Sequence, residues 1–104
     1  DRKKDIVIRG GYNISSVEVE NAVLGFGKVR DVAVIPQPDE IMGERICICV
    51  VPVDEDNPPT LEEINDYLRE QGMSVYKLPE KMKLINAIPR NPVGKILKKE
   101  LRAL

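Results

Sequence analysis

The chain has no histidine and no tryptophan, and only three tyrosines and one phenylalanine. Without histidine, the commonest general base and the commonest metal ligand are missing. So few aromatics leave no platform for stacked bases, which argues against single-stranded nucleic acid. Net charge is -1, from 16 basic and 17 acidic residues, so no global field points to nucleic acid or a membrane surface. No apolar run approaches the roughly 20 residues of a membrane span, and no signal-peptide pattern opens the chain. The two cysteines, Cys47 and Cys49, share one face if they lie on a strand. Two thiols alone make a poor zinc site, so no metal is expected. The pair reads as small apolar filler in a reducing compartment, with the cytoplasm as the expected location.

What is present fits one domain: 104 residues, 42% of them hydrophobic, enough for a modest core. The first residue is Asp1, and the chain is expected to be a piece of a longer protein. Asp1 to Asp5 is a charged run. Ile6-Val7-Ile8 and Tyr12-Asn13-Ile14 flank the turn signal Gly10-Gly11, which predicts a hairpin. Ser15 and Glu18 have capping-box spacing, followed by an apolar stripe through Val19, Ala22, Val23 and Phe26, with Gly25 and Gly27 as the stop. Val29 to Pro36 and Glu44 to Val53 read as paired strands, separated by a polar loop from Gln37 to Gly43. Thr60 and Glu63 form a second capping box before the stripe Leu61, Ile64, Leu68, and Gly72 ends that helix. Lys81 to Ile85 reads as a third main strand. Leu97, Leu101 and Leu104 line one side of a final short helix, with Lys98, Lys99 and Arg102 read as its solvated face. The expected fold is α+β: a small three-stranded sheet flanked by helices, with an N-terminal two-stranded hairpin.

Pro89-Arg90-Asn91-Pro92-Val93-Gly94-Lys95-Ile96 is the stretch with the most chemistry. Two prolines exclude helix interior and central strand, and Gly94 permits a tight bend. Lys95 is therefore expected at the tip of a stiff loop, where a fixed cation meets an anion; an ordinary surface lysine in a Pro-rich connector fits the local chemistry equally well. A P-loop is excluded, because Pro89 stands where that pattern needs Gly and Ile96 where it needs Ser or Thr. The residues alone describe a small α+β domain that is not a self-sufficient enzyme.

Two motifs at opposite ends add a family. Arg2 through Ser15, with the run Gly10-Gly11-Tyr12-Asn13-Ile14-Ser15, resembles the hinge-and-loop motif of adenylate-forming enzymes, and Pro89 through Ile96 resembles their last motif, which carries the catalytic lysine. Val34-Ile35-Pro36, Pro38-Asp39, Gly43-Glu44 and Tyr76-Lys77-Leu78-Pro79 fall where the family has similar runs. The chain as a whole resembles the small C-terminal domain of an acyl-CoA synthetase, with Ser16 where the family often has Pro and Lys4 where some members have Asp.

The resemblance implies a large N-terminal domain that holds ATP with Mg and a carboxylic acid, fatty or aromatic. It implies two steps: acyl-adenylate formation, then thioester formation with CoA. Lys95 would be the catalytic lysine and Lys4 the hinge, within residues 2–5. Arg2 would reach nucleotide oxygens, while Gly10, Gly11 and Tyr12 would lie beside the pantetheine arm. The isolated domain is expected to be inactive. Two alternatives are a peptide-synthetase adenylation domain acting on a carrier-protein thiol, and a non-catalytic module reusing the fold.

Overall fold

A computed structural model describes residues 6–103, so the expectations for Arg2, Lys4 and Leu104 lie outside the described residues. Strands β1 (Ile6–Arg9) and β2 (Tyr12–Ser15) form the hairpin, and helix α1 (Ser16–Leu24) follows directly. Strands β3 (Val29–Asp39) and β4 (Gly43–Pro52) pair antiparallel along their whole length. Helix α2 (Leu61–Glu70) and a 3-10 turn (Val75–Lys77) lead to β5 (Lys81–Leu84), and the chain ends in helix α3 (Lys98–Arg102). β5 runs parallel to β4, so α2 serves as the crossover that parallel neighbours require. The hairpin joins the three main strands through the pair Arg9–Gly43, which gives one five-stranded sheet.

Alternation along β3 and β4 feeds two cores. Val32, Val34, Ile46, Ile48 and Val50 face α1 and α2, together with Val19, Val23, Ile64 and Leu68. Ala33, Ile35, Cys47, Cys49 and Val51 face the other way, under Ile88 and Leu101. Burial on both faces explains why β4 reads as a continuous apolar run. Both thiols are free and almost wholly buried, which agrees with their reading as filler.

The helix starts follow local chemistry. Thr60 Oγ1 accepts from Glu63 N–H at 3.1 Å, and Glu63 Oε1 accepts from Thr60 N–H at 3.0 Å, closing the box in both directions. Ser15 Oγ accepts from Glu18 N–H at 3.2 Å, but the Glu18 carboxylate takes Lys77 Nζ instead, at 2.9 Å. That pair ties α1 to the 3-10 turn.

β3 is longer than expected, running through Pro36 and Pro38 to Asp39 rather than stopping at a polar loop. It lies at one end of the strand order β2-β1-β4-β3. Prolines are tolerated on such an edge when their missing N–H would have pointed outward.

Candidate functional site

The Pro89–Ile96 segment forms a small hairpin. Arg90 bridges Ile96, Asn91 N–H donates to Lys95 O at 3.0 Å, and Gly94 N–H donates to Asn91 O at 2.9 Å. Leu97 N–H closes the base on Pro89 O at 2.8 Å. Gly94 has φ of 93°, which a side chain would strain. Inside the turn, Asn91 Oδ1 accepts from Val93 N–H at 3.0 Å and from Lys95 N–H at 2.9 Å. Asn91 thus holds the Lys95 backbone on both its N–H and its C=O. The Lys95 side chain is exposed beside a groove of about 840 Å³ that Val17, Glu20, Ile96 and Lys99 help to line.

The loop is anchored to β3. Arg90 Nη1 donates to Asp31 Oδ2 at 2.6 Å and Nη2 to Asp31 Oδ1 at 3.1 Å. The Arg90 guanidinium holds the Asp31 carboxyl below its usual value of 3.8, burial opposing it, and the Val32 N–H adds to the lowering. Neither Asp31, Arg90 nor Asn91 stands out by residue type. Arg90 and Asn91 lie inside the motif around Lys95, which is the one sequence signal for them.

α3 begins three residues after Lys95 and is not simply solvated, contrary to its sequence reading. Lys98 Nζ donates to Ser16 Oγ at 2.9 Å and lies 3.4 Å from Glu20 Oε2. Ser16, which stands where the family often has Pro, is buried and supplies the accepting hydroxyl. Lys99 and Arg102 are exposed as expected.

The glycine turn is the second candidate element. Gly10 and Gly11 both have positive φ, 55° and 89°, as a two-residue hairpin turn of the primed type requires. Gly10 N–H donates to Met42 O at 2.7 Å, and a Cβ at Gly10 would sit 2.7 Å from Met42 Cε. A Cβ at Gly11 would meet open space. Tyr12 stacks on Tyr76, with ring centroids 4.2 Å apart. None of Gly10, Gly11 and Tyr12 lines the groove beside Lys95.

Charges brace that turn from beneath. Glu80 receives Arg9 Nε on one oxygen and Arg45 Nη1 on the other, and Arg45 Nε lies 2.8 Å from Asp39 Oδ1. Asp39 Oδ2 accepts from Met42 N–H at 2.8 Å and Ile41 N–H at 3.1 Å, which shapes the turn that bonds Gly10. The Arg45 guanidinium and the Met42 N–H lower the Asp39 carboxyl from 3.8 to about 2. Burial works to raise Glu80, but Arg9 and Arg45 outweigh it and hold the carboxyl below 4.5.

No group of three or more Cys, Asp or Glu that could hold a metal ion occurs among the described residues. No helix among them is long and apolar enough to cross a membrane.

A five-stranded α+β sheet with a lysine hairpin at one place and a glycine turn at another defines the small domain of an adenylate-forming enzyme. The chain belongs to the AMP-binding enzyme C-terminal domain family, whose model matches residues 18–95 and so includes Lys95. It is 40% identical over 101 residues to a 2,3-dihydroxybenzoate-AMP ligase of Bacillus subtilis, covering 97% of this chain and 18% of that protein. It is 43% identical over 101 residues to a medium-chain fatty-acid–CoA ligase of Escherichia coli, with the same coverage. A fatty acyl CoA synthetase structure from Mycobacterium tuberculosis superposes with a TM-score of 0.87 at 43% identity, covering 99% of this chain and 20% of that one. The chain therefore spans about a fifth of the length of the relatives it matches.

Proposed function

We propose that this chain is the mobile C-terminal domain of an ATP-dependent acid–thiol ligase of the acyl-CoA synthetase type. The observation that carries the reading is Lys95: its backbone is clamped by Asn91 while its side chain stands exposed at the tip of a hairpin. Acyl-adenylate formation brings a carboxylate against the α-phosphate of ATP, two anions that need a cation between them. A lysine fixed at its backbone supplies that charge by position, with no proton transfer needed.

In the second step a thiol attacks the acyl carbon, giving a thioester and AMP. Rotation about Lys4 withdraws Lys95 and presents the Gly10–Gly11 turn. Gly11 leaves open space where a side chain would crowd the pantetheine arm, and Tyr12 lies beside it. Arg2 reaches nucleotide oxygens near the hinge. ATP with Mg, and the acid, are held mainly by a large N-terminal domain of the same protein, so residues 1–104 alone form no thioester.

Lys95→Ala in the full-length protein tests the assignment. ATP–pyrophosphate exchange should fall by about 10²–10⁴, while thioester formation from synthetic acyl-AMP and CoA survives. Exchange within a few-fold of wild type, or equal loss of both rates, returns Lys95 to being a connector residue. Lys4→Pro should spare exchange and block overall turnover, because Pro freezes φ at the pivot; normal turnover would remove Lys4 as the hinge.

A second reading has the thiol on a carrier protein. It is favoured by relatives whose names mention no CoA, the 2,3-dihydroxybenzoate-AMP ligase at 40% identity and enterobactin synthase component E of Escherichia coli at 39%. Acyl transfer to a phosphopantetheinylated carrier, with none to free CoA, would establish it over the first.

A further inference from the structure

Asp31 lies 59 residues before Arg90, yet the two side chains meet through two hydrogen bonds. Asp31 is also fixed from behind, since its Oδ1 accepts from Val32 N–H at 2.9 Å. The strand bulges at this point. Val29 pairs with Pro52 and Asp31 with Val51, so two steps along β3 oppose one along β4. Such a bulge bends a strand and re-aims the side chain beside it.

Arg90 is the residue that bridges Ile96 at the base of the Lys95 hairpin. Its neighbour Asn91 makes the bonds that fix the Lys95 backbone. The path from sheet to amine therefore runs through Val32, Asp31, Arg90 and Asn91 to Lys95. Side-chain exposure of the ion pair is 37% for Arg90 and 27% for Asp31, too open to add much to global stability. A two-pronged guanidinium–carboxylate contact does fix direction. It resists pivoting of the hairpin about its base, where a shift of about 1 Å in a reacting group can cost on the order of a hundredfold in rate.

We propose that Asp31 is a positioning residue for Lys95, acting through Arg90. This rests on the reading of Lys95 as the adenylation lysine. Asp31 never touches substrate; it sets where the amine sits.

Asp31→Asn in the full-length protein is the test, because it keeps an acceptor for Val32 N–H while removing the charge and replacing the Oδ2 that accepts from Arg90 Nη1 with an amide donor. ATP–pyrophosphate exchange should drop about tenfold in kcat, with KM for ATP and acid within about twofold. Thioester formation from synthetic acyl-AMP and CoA should stay within about twofold of wild type, and it reports that the protein is folded. Added to Lys95→Ala, Asp31→Asn should cost nothing further, since the group it positions is gone. Unchanged exchange, equal loss of both half-reactions, or the same cost with and without Lys95 overturns the proposal. If Lys95→Ala itself leaves exchange intact, the adenylation reading fails. If Lys95→Ala is crippled and Asp31→Asn is normal, only the positioning role fails.

Discussion

Lys98 donates to Ser16 Oγ at 2.9 Å and lies 3.4 Å from Glu20 Oε2, which joins the last helix to the first across the free edge of β3. The same Glu20 oxygen accepts from Val34 N–H at 2.8 Å. One buried carboxylate thus holds a strand, a helix and the cation three residues after Lys95.

Removing that carboxylate should be expensive. Glu20→Leu takes the Glu20 carboxylate away from the Lys98 amine and from Val34 N–H. A loss of about 2–4 kcal/mol in unfolding free energy is expected. Glu20→Gln should recover part of it, because an amide oxygen still accepts from Val34. Urea unfolding reads both, and a Glu20→Leu loss below about 0.5 kcal/mol would mean the cluster is hydrated in solution.

The glycine turn allows a matched comparison. Gly11 and Gly72 share φ of 89°, and a Cβ at either would meet open space. Leucine at each therefore carries a similar backbone cost, about 1–3 kcal/mol. Only Gly11 lies in the turn proposed to meet the thiol. In the full-length protein, Gly11→Leu should depress thioester formation well below adenylation, while Gly72→Leu leaves the ratio of the two rates unchanged. Equal ratios in the two variants would strip Gly11 of its role.

Acid should unfold the chain in a defined window. Asp31, Asp39, Glu63 and Glu80 all have carboxyls lowered in the folded state. Lowered groups bind fewer protons folded than unfolded, so stability falls as pH falls. The contribution of Asp39 is complete above its ordinary value of 3.8 and is lost as pH drops to about 2. The unfolding midpoint should be flat down to about pH 5 and decline below it. Asp39→Asn should shallow the decline; an unchanged slope would show that the Arg45 contact does not persist in solution.

Cys47 and Cys49 should ignore thiol reagents until the chain unfolds. Both are at most 1% exposed, packed under Ile88 and Leu101. The hydrogen bond between the two thiols pushes Cys49 up and holds Cys47 down, so burial is what shields Cys47. A bulky maleimide should label neither at neutral pH in the native state and both in denaturant. Rapid native labelling would mean the segment over this core opens readily.

The sequence was legible where a backbone demand is local. The Gly10–Gly11 turn, the Thr60–Glu63 box and the Pro89–Lys95 loop each follow from a few adjacent residues with restricted or permissive φ, and each formed where expected. What could not be read depends on partners far along the chain. Helical spacing puts Lys98 on the flank of the face that carries Leu101, three residues on, but it cannot see Ser16, 82 residues earlier. The Asp31–Arg90 pair is hidden for the same reason. Pro36 and Pro38 look like strand breakers until the strand order places β3 on the edge. On β5, Lys83 is half-buried and Leu84 exposed, which nothing in the local sequence signals.

From residue 32 to residue 38 the outer edge of β3 offers no free backbone donor. Outward N–H groups recur at every second residue, here 32, 34, 36 and 38. Val32 N–H is taken by Asp31, Val34 N–H by Glu20, and the two prolines have none. An open edge invites a strand from another molecule, and the usual guards are charged side chains, prolines and bulges on the edge strand. With a net charge of only -1, this chain has little repulsion to rely on. Four alternate positions blunt this edge instead, by removing its donors. A domain proposed to turn between two poses could otherwise be trapped by a second copy in mid-swing.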